Sequence, residues 1–266
     1  MLQALDILEF KNFVRRVTDY FKPTNGRFCR LELTNPQCRV LARTACYLID
    51  FLIEANSPEA GRVLEDFLKD FQDCLISLIH SDSAHDCLLS PTRVATTGCQ
   101  YYFLFIGRLS KSKKGRELLD QLSILGHFTE LLSLRSDLYF KLVISCLDYS
   151  SVDWGSRLLL AKALKEAPET CRIYATKFLG VLLRSKSNNI AHWGLDLITG
   201  QIFDEESKIV PIVALNILDE AADDKMNLEA MVCTLQNKDL SHLGIRGKLL
   251  KTRLLVSSTY GMKVRI

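Results

Sequence analysis

Apolar residues recur along this chain with the period of a helix. Over residues 2–21, Leu5, Leu8, Val14, Val17 and Phe21 keep to one helical face. The same spacing predicts helices near 36–55, 58–80, 91–110, 115–134, 137–149, 154–166, 168–185, 189–202, 206–222 and 225–235. Within 206–222, Val210, Val213, Ala214, Ile217, Leu218 and Ala221 form one stripe, with Asn216, Asp219 and Glu220 outside it. No run of strict alternation is bounded by hairpin turns, so strands are not expected. The pattern predicts an all-α chain with about 65% of its residues in helices, high for an ordinary globular domain.

Proline punctuates the pattern. Asn35-Pro36, Ser57-Pro58, Ser90-Pro91 and Ala167-Pro168 each set proline at a first helical position. There its missing N–H costs nothing, and Asn35, Ser57 and Ser90 can cap. Pro23 falls in the turn Lys22-Pro23-Thr24-Asn25-Gly26, and Pro211 must kink its helix or begin it. Residues 80–86 and 111–114 read as polar loops, the second of them basic.

A repeat organises the middle of the chain. Lys114-Gly115-Arg116-Glu117-Leu118-Leu119 returns as Trp154-Gly155-Ser156-Arg157-Leu158-Leu159 and again as Trp193-Gly194-Leu195-Asp196-Leu197-Ile198. The glycines step by 40 (115 to 155) and then by 39 (155 to 194). Aromatic-apolar segments precede each: Tyr102–Ile106, Tyr139–Val143 and Tyr174–Leu179. Two amphipathic segments per 40 residues is the signature of armadillo and HEAT repeats. The fold class expected is an all-α, armadillo/HEAT-like α-solenoid of stacked helical repeats, covering residues 1–255 as part of a longer array. The three glycines are expected to hold equivalent positions. Residues 256–266 lose the pattern and read as a divergent, poorly ordered C-terminal tail. Trp154 and Trp193 are expected to open equivalent helices and to pack on the neighbouring repeat, the alternative being an exposed peptide-binding ladder.

Composition narrows the function. Of the 266 residues 48% are hydrophobic, enough for an extended core. Thirty-four basic residues against 31 acidic give a net charge of +3, too balanced for a nucleic-acid or anionic-membrane partner. The nine cysteines form no CxxC pair, and Cys46, Cys74 and Cys146 lie on apolar faces, which reads as reduced thiols in a cytoplasmic protein. No apolar stretch approaches the roughly 18 residues of a membrane span.

Signatures of catalysis are not found. The sequence has no Gly-x-Ser-x-Gly elbow, no GxxxxGK[ST] and no GxGxxG. His80, His85 and Cys87 are spaced loosely for a metal, and a polar loop holding two histidines is the simpler reading. Asp204-Glu205-Glu206 and Asp223-Asp224 read as helix-start acids that complement the dipole. No catalytic residue, metal or cofactor is expected, and the chain is not read as an enzyme. The most suggestive cluster is Arg108, Lys111, Lys113, Lys114 and Arg116, five cations within nine residues. It could hold an acidic or phosphorylated segment of another protein; the alternative is a solvated connection between helices.

Three strings carry a resemblance. Gln100-Tyr101-Tyr102-Phe103-Leu104-Phe105-Ile106-Gly107-Arg108-Leu109-Ser110, Cys171–Arg184 and Asn216–Leu228 running on to Leu240–Gly244 resemble the rictor family. The likeness covers nearly the whole chain in order, is weakest in the first third, and stops after about Leu255, as in a piece of a longer protein. The resemblance implies a non-catalytic scaffold subunit of TOR complex 2, built on an N-terminal armadillo/HEAT-like region. Such a subunit holds the TOR kinase and its adaptor subunits together, directs the kinase to AGC kinases such as Akt, and obstructs the rapamycin-bound immunophilin. It implies a cytoplasmic protein brought to membranes through the complex. The rival from the residues alone is an importin-like or other peptide-binding helical-repeat adaptor, which calls for a regular Trp and Asn ladder; only Trp154 and Trp193 are present.

Overall fold

Caps and prolines set many of the helix boundaries. Asn35 accepts a hydrogen bond from the Gln37 N–H at 2.9 Å and Ser57 one from Ala60 at 3.1 Å, each just ahead of a helix-starting proline. The computed structural model describes residues 2–55, 57–81, 83, 85–185, 188–235 and 238–263. Among these there are fourteen α-helices and no strand. The chain divides into two compact units, residues 1–148 and 149–266.

The first unit comprises α1 (Leu2–Phe21), α2 (Pro36–Glu54), α3 (Pro58–His80), α4 (Pro91–Thr96), α5 (Tyr101–Ser110), α6 (Lys113–Gln121), α7 (Ile124–Ser133) and α8 (Asp137–Cys146). The side chains of Leu5 and Leu8, on the predicted face of α1, lie outside the described residues. The core is aromatic: Phe21, Phe28, Phe71, Tyr102, Phe103, Phe105 and Phe128 are buried, with neighbouring ring centroids about 5–6 Å apart. Tyr102 sits at its centre, fully buried, and its hydroxyl donates to the carbonyl of Phe21 at 2.9 Å. That bond satisfies both a buried hydroxyl and the end of α1.

Two predicted helices are broken. Residues 91–110 form α4 and α5 with a turn of 3₁₀-helix between them, because segment 28–35 captures the backbone there. Leu33 N–H donates to Thr96 O at 2.9 Å, Gly98 N–H donates to Leu31 O at 2.8 Å, and Thr97 is extended opposite Glu32. Residues 115–134 break at Ser123, which takes a left-handed φ of 51°. Leu119 and Ile124 flank this break and both are fully buried. In a straight helix, residues five apart point about 140° away from each other, so one continuous helix could not bury both.

The second unit comprises α9 (Ser156–Glu166), α10 (Glu169–Leu183), α11 (Asn188–Ile202), α12 (Val210–Ala221), α13 (Lys225–Leu235) and α14 (Gly244–Lys263). Helices α10, α11 and α12 pack on one another, α13 packs on α11, and α14 packs on α13. Of the predicted stripe of α12, Val210, Ala214, Ile217 and Leu218 are buried and joined by Leu215, Val213 and Ala221 are half-buried, and Asn216, Asp219 and Glu220 are exposed. Pro211 begins this helix and does not kink it. The helix starts later than the expected 206 because Ser207 caps it, its Oγ accepting from the N–H groups of Ile209 and Val210. The backbone of α14 stays helical to Lys263, past the point where the apolar pattern fades. Local i to i−4 bonds need no apolar stripe.

The repeat is one of helices, not of positions. Gly115 lies near the start of α6, Gly155 immediately precedes α9, and Gly194 lies in the middle of α11. Gly115 is required by close approach: a Cβ there would fall 2.0 Å from the carbonyl oxygen of Leu109. Trp154 and Trp193 do not open equivalent helices either. Trp154 is buried ahead of α9, whereas Trp193 lies within α11, stacked on Tyr149 at 6.0 Å with the Arg157 guanidinium 4.8 Å from its ring centroid. Both pack inside the second unit.

Asp204, expected at a helix start, belongs to a buried ion pair. Its carboxylate takes Arg172 of α10 at 2.7 Å, and the two side chains are 8% and 7% exposed. Breaking such a pair strands a charge. Asp204→Ala is expected to destabilise the second unit by about 3 kcal/mol, the low end of the usual range, since exposed Glu206 stays 3.4 Å from Arg172. Urea unfolding followed by tryptophan fluorescence reads this; an unmoved midpoint would show the pair to be dispensable.

The thiols make a second check. All nine cysteines are free, six are buried, Cys46 and Cys146 are half-buried, and Cys233 is exposed. Burial pushes the Cys74 thiol up to about 12 and raises Cys38, Cys46 and Cys146 as well, and only the thiolate reacts. A colorimetric disulfide reagent is expected to consume one thiol quickly and the rest only on unfolding. Fast reaction of four or more would contradict the packing.

Candidate functional site

The five cations of the basic cluster do not act alike. Arg108 on α5 holds Asp50 of α2 in a two-pronged pair, its Nε donating to Oδ1 at 3.1 Å and an NH2 group to Oδ2. Asp50 holds the guanidinium's pKa above its ordinary value. Arg116 on α6 donates from NH1 to the carbonyls of Ser110 and Lys111, each at 3.1 Å, closing the C-terminal end of α5. Those two arginines join helices.

The three lysines remain. Lys111 follows α5, while Lys113 and Lys114 occupy the first turn of α6, not a loop as the pattern predicts. The reason is Ser112, whose Oγ accepts the Gly115 N–H at 2.9 Å and starts the helix early. Lys111 and Lys113 are exposed, Lys114 is half-buried, and none of the three forms an ion pair with a described residue. Cations at a helix N-terminus oppose its dipole, by about 0.3–1 kcal/mol each, so helix stability gives no reason for Lys113 and Lys114, whereas Lys111 caps the C-terminal end of α5, where a cation suits the dipole.

His80 and His85 are exposed, while Cys87 is buried with its Sγ toward the Ser77 carbonyl at 3.5 Å. The three do not converge, and no group of three or more potential metal ligands occurs among the described residues. No described helix is long and apolar enough to cross a membrane.

The pattern overlooks one feature of the second unit. A groove of about 310 Å³ runs between α10, α12 and α13, lined by Gly180, Arg184, Ile217, Glu220, Asp223 and Asn227 among others. Asp224 caps α13 as expected, accepting from the N–H groups of Met226 and Asn227. The signal available in the sequence is Asn227 itself, a polar residue one turn before Ala230 and Met231 on the buried face of α13. The groove joins two of the strings that carry the resemblance: a Cβ on Gly180 would lie 3.0 Å from Ile217.

Comparison with known proteins covers both units. Residues 80–183 match the family model for the middle domain of the rapamycin-insensitive companion of mTOR, and residues 189–264 match that for its RasGEF_N domain. The human protein of that name is 37% identical over 248 residues, 93% of this chain and 14% of the human one. Protein pianissimo A of Dictyostelium discoideum is 33% identical over 267 residues, 92% of this chain and 22% of its own length. In Schizosaccharomyces pombe, target of rapamycin complex 2 subunit ste20 is 29% identical over 261 residues, 95% of this chain and 19% of that protein. The chain thus spans between one seventh and about a fifth of these relatives.

Proposed function

We propose, from the premise that this chain belongs to the rictor family, that it is a non-catalytic scaffold segment of TOR complex 2. The observation that carries the reading is the match to both family domains in order, over residues 80–183 and 189–264. Helices stacked through extended faces support it, because such stacks offer surface to partners. Under this reading the partners are the TOR kinase and its adaptor subunits, and the complex signals to AGC kinases such as Akt. The segment is cytoplasmic and reaches membranes only through that assembly.

The reading is tested by exchange. In a cell lacking the human relative, a version of that protein carrying this chain's residues 80–255 in place of its own matching stretch is expected to co-purify with TOR kinase. A chimera that folds yet leaves the kinase behind would overturn the assignment.

Within this reading the basic cluster is a docking point for an acidic or phosphorylated segment of another subunit. Lys111, Lys113 and Lys114 make the contact; Arg108 and Arg116 hold the helices that present them. Changing the three lysines together to glutamate is expected to leave the melt nearly unchanged, since acids suit the first turn of α6 while Glu at 111 opposes the C-terminal end of α5. Partner binding is expected to fall at low salt and to differ less at high salt, where exposed charges are screened within about 8 Å or less. Equal binding by parent and variant at low salt would return the cluster to a solvated connection.

A further inference from the structure

An apolar stripe runs along the outer face of α2. The buried side of that helix carries Cys38, Ala42, Ala45, Ile49 and Leu52. Val40, Tyr47 and Phe51 point the other way, within about 40° of one another around the helix axis, and all three are exposed. Phe10 of α1 extends the stripe, its ring centroid 6.2 Å from that of Phe51. Phe13 stands one turn further along α1 and is exposed as well. A lone exposed apolar side chain needs no explanation, but a row of them with four aromatic rings marks a contact surface.

The charges beside the stripe give the contact its sign. On these two helices Lys11, Asp19 and Asp50 are each paired, with Glu59, Lys22 and Arg108. Arg15, Arg16, Arg39 and Arg43 are exposed and form no ion pair with a described residue. Among the described acids of α1 and α2, Glu9 and Glu54 are the two left in the same state. Because Phe10 meets Phe51, those two acids share one end of the patch, while Arg39 and Arg43 hold the other. Arg39 and Arg43 stand four residues apart, a like-charged spacing that weakens a helix. Helix stability therefore does not account for them. A second copy of this chain fits poorly, because it would bring twice as many arginines as acids to a face that already has that excess, and like charges facing each other repel.

We propose that this face docks an acidic amphipathic helix of a partner protein. The stretch from Val40 to Phe51 covers three turns, about 16 Å. The partner lays an apolar face of matching helical spacing on Val40, Tyr47 and Phe51, and its Glu or Asp side chains meet Arg39 and Arg43. The surface does not use Lys111, Lys113 or Lys114, and it rests neither on the docking point proposed there nor on the assembly reading.

The test uses the full chain and a fluorescein-labelled, stapled helical peptide of roughly four turns, with Leu on one face and Glu along its flank. It is titrated by fluorescence anisotropy at low and physiological salt. Saturable binding by the parent is expected. Val40→Ser with Tyr47→Ser, at positions 64% and 66% exposed, is expected to weaken binding about tenfold or more and to leave the melt unchanged. A lowered melt would show the stripe to be structural and overturn the proposal. Arg39→Glu with Arg43→Glu is expected to weaken binding at low salt, with a smaller difference at physiological salt. No saturable binding, or equal binding by the parent and the Ser variant, overturns the proposal. Equally tight binding of the same peptide with Lys in place of Glu overturns it too. Dimers of the parent in sedimentation equilibrium that the Ser variant does not form would assign the face to a second copy and contradict the partner-helix reading.

Discussion

Replacing Leu218 with aspartate is expected to unfold the second unit. Leu218 is fully buried in α12, with Ala214 and Leu215 a turn before it and Ile217 beside it, against α10 and α11. The substitution removes a core side chain, which alone costs about 2–5 kcal/mol. It also sets a carboxylate at a fully buried position, adding several kcal/mol or forcing the group to stay protonated. Against a typical total of about 5–15 kcal/mol, little cooperative structure survives. Trp154 and Trp193 both lie in this unit, so their fluorescence reports it directly. A melt displaced by only a few degrees would mean that the stripe of α12 is not buried.

Gly107→Ala is the corresponding lesion in the first unit. A Cβ at Gly107 would lie 2.2 Å from the carbonyl oxygen of Cys146 and 3.1 Å from its carbon. Both are backbone atoms at the end of α8, so no side-chain rotation relieves the clash, and α5 and α8 must separate. Overpacking costs typically 1–3 kcal/mol, and a backbone obstacle places this case at about 3 kcal/mol or above. Far-UV circular dichroism during urea unfolding is the appropriate readout. A midpoint equal to that of the parent would show that the two helices are not in contact at Gly107.

The Leu218 lesion falls where sequence and structure agree, and the disagreements are equally physical. Helices 58–80 and 225–235 are legible residue for residue, because Ser57 with Pro58 and Asp224 mark their starts locally. The break at Thr97 is not legible, since its cause is segment 28–35, more than 60 residues away in sequence. The break at Ser123 follows from two buried residues, Leu119 and Ile124, whose burial no local periodicity reveals. The 40-residue period correctly announces repeating helices, yet its glycines serve unrelated packing needs.

The candidate sites show the same division. All five cations of the basic cluster stand out in the sequence, but the roles of Arg108 and Arg116 depend on Asp50 and on the end of α5. Only the structure separates the arginines that hold helices from the lysines that face outward. The groove around Asn227 is assembled from α10, α12 and α13, so it has no signature in any single stretch.

The central claim is that this chain is a scaffold segment of TOR complex 2. Affinity purification of the tagged chain from cells, with TOR kinase and its adaptor subunits quantified in the eluate, tests it most directly. The account predicts that kinase and adaptor are recovered with the parent chain and lost with Leu218→Asp. A folded parent chain that recovers neither would contradict it.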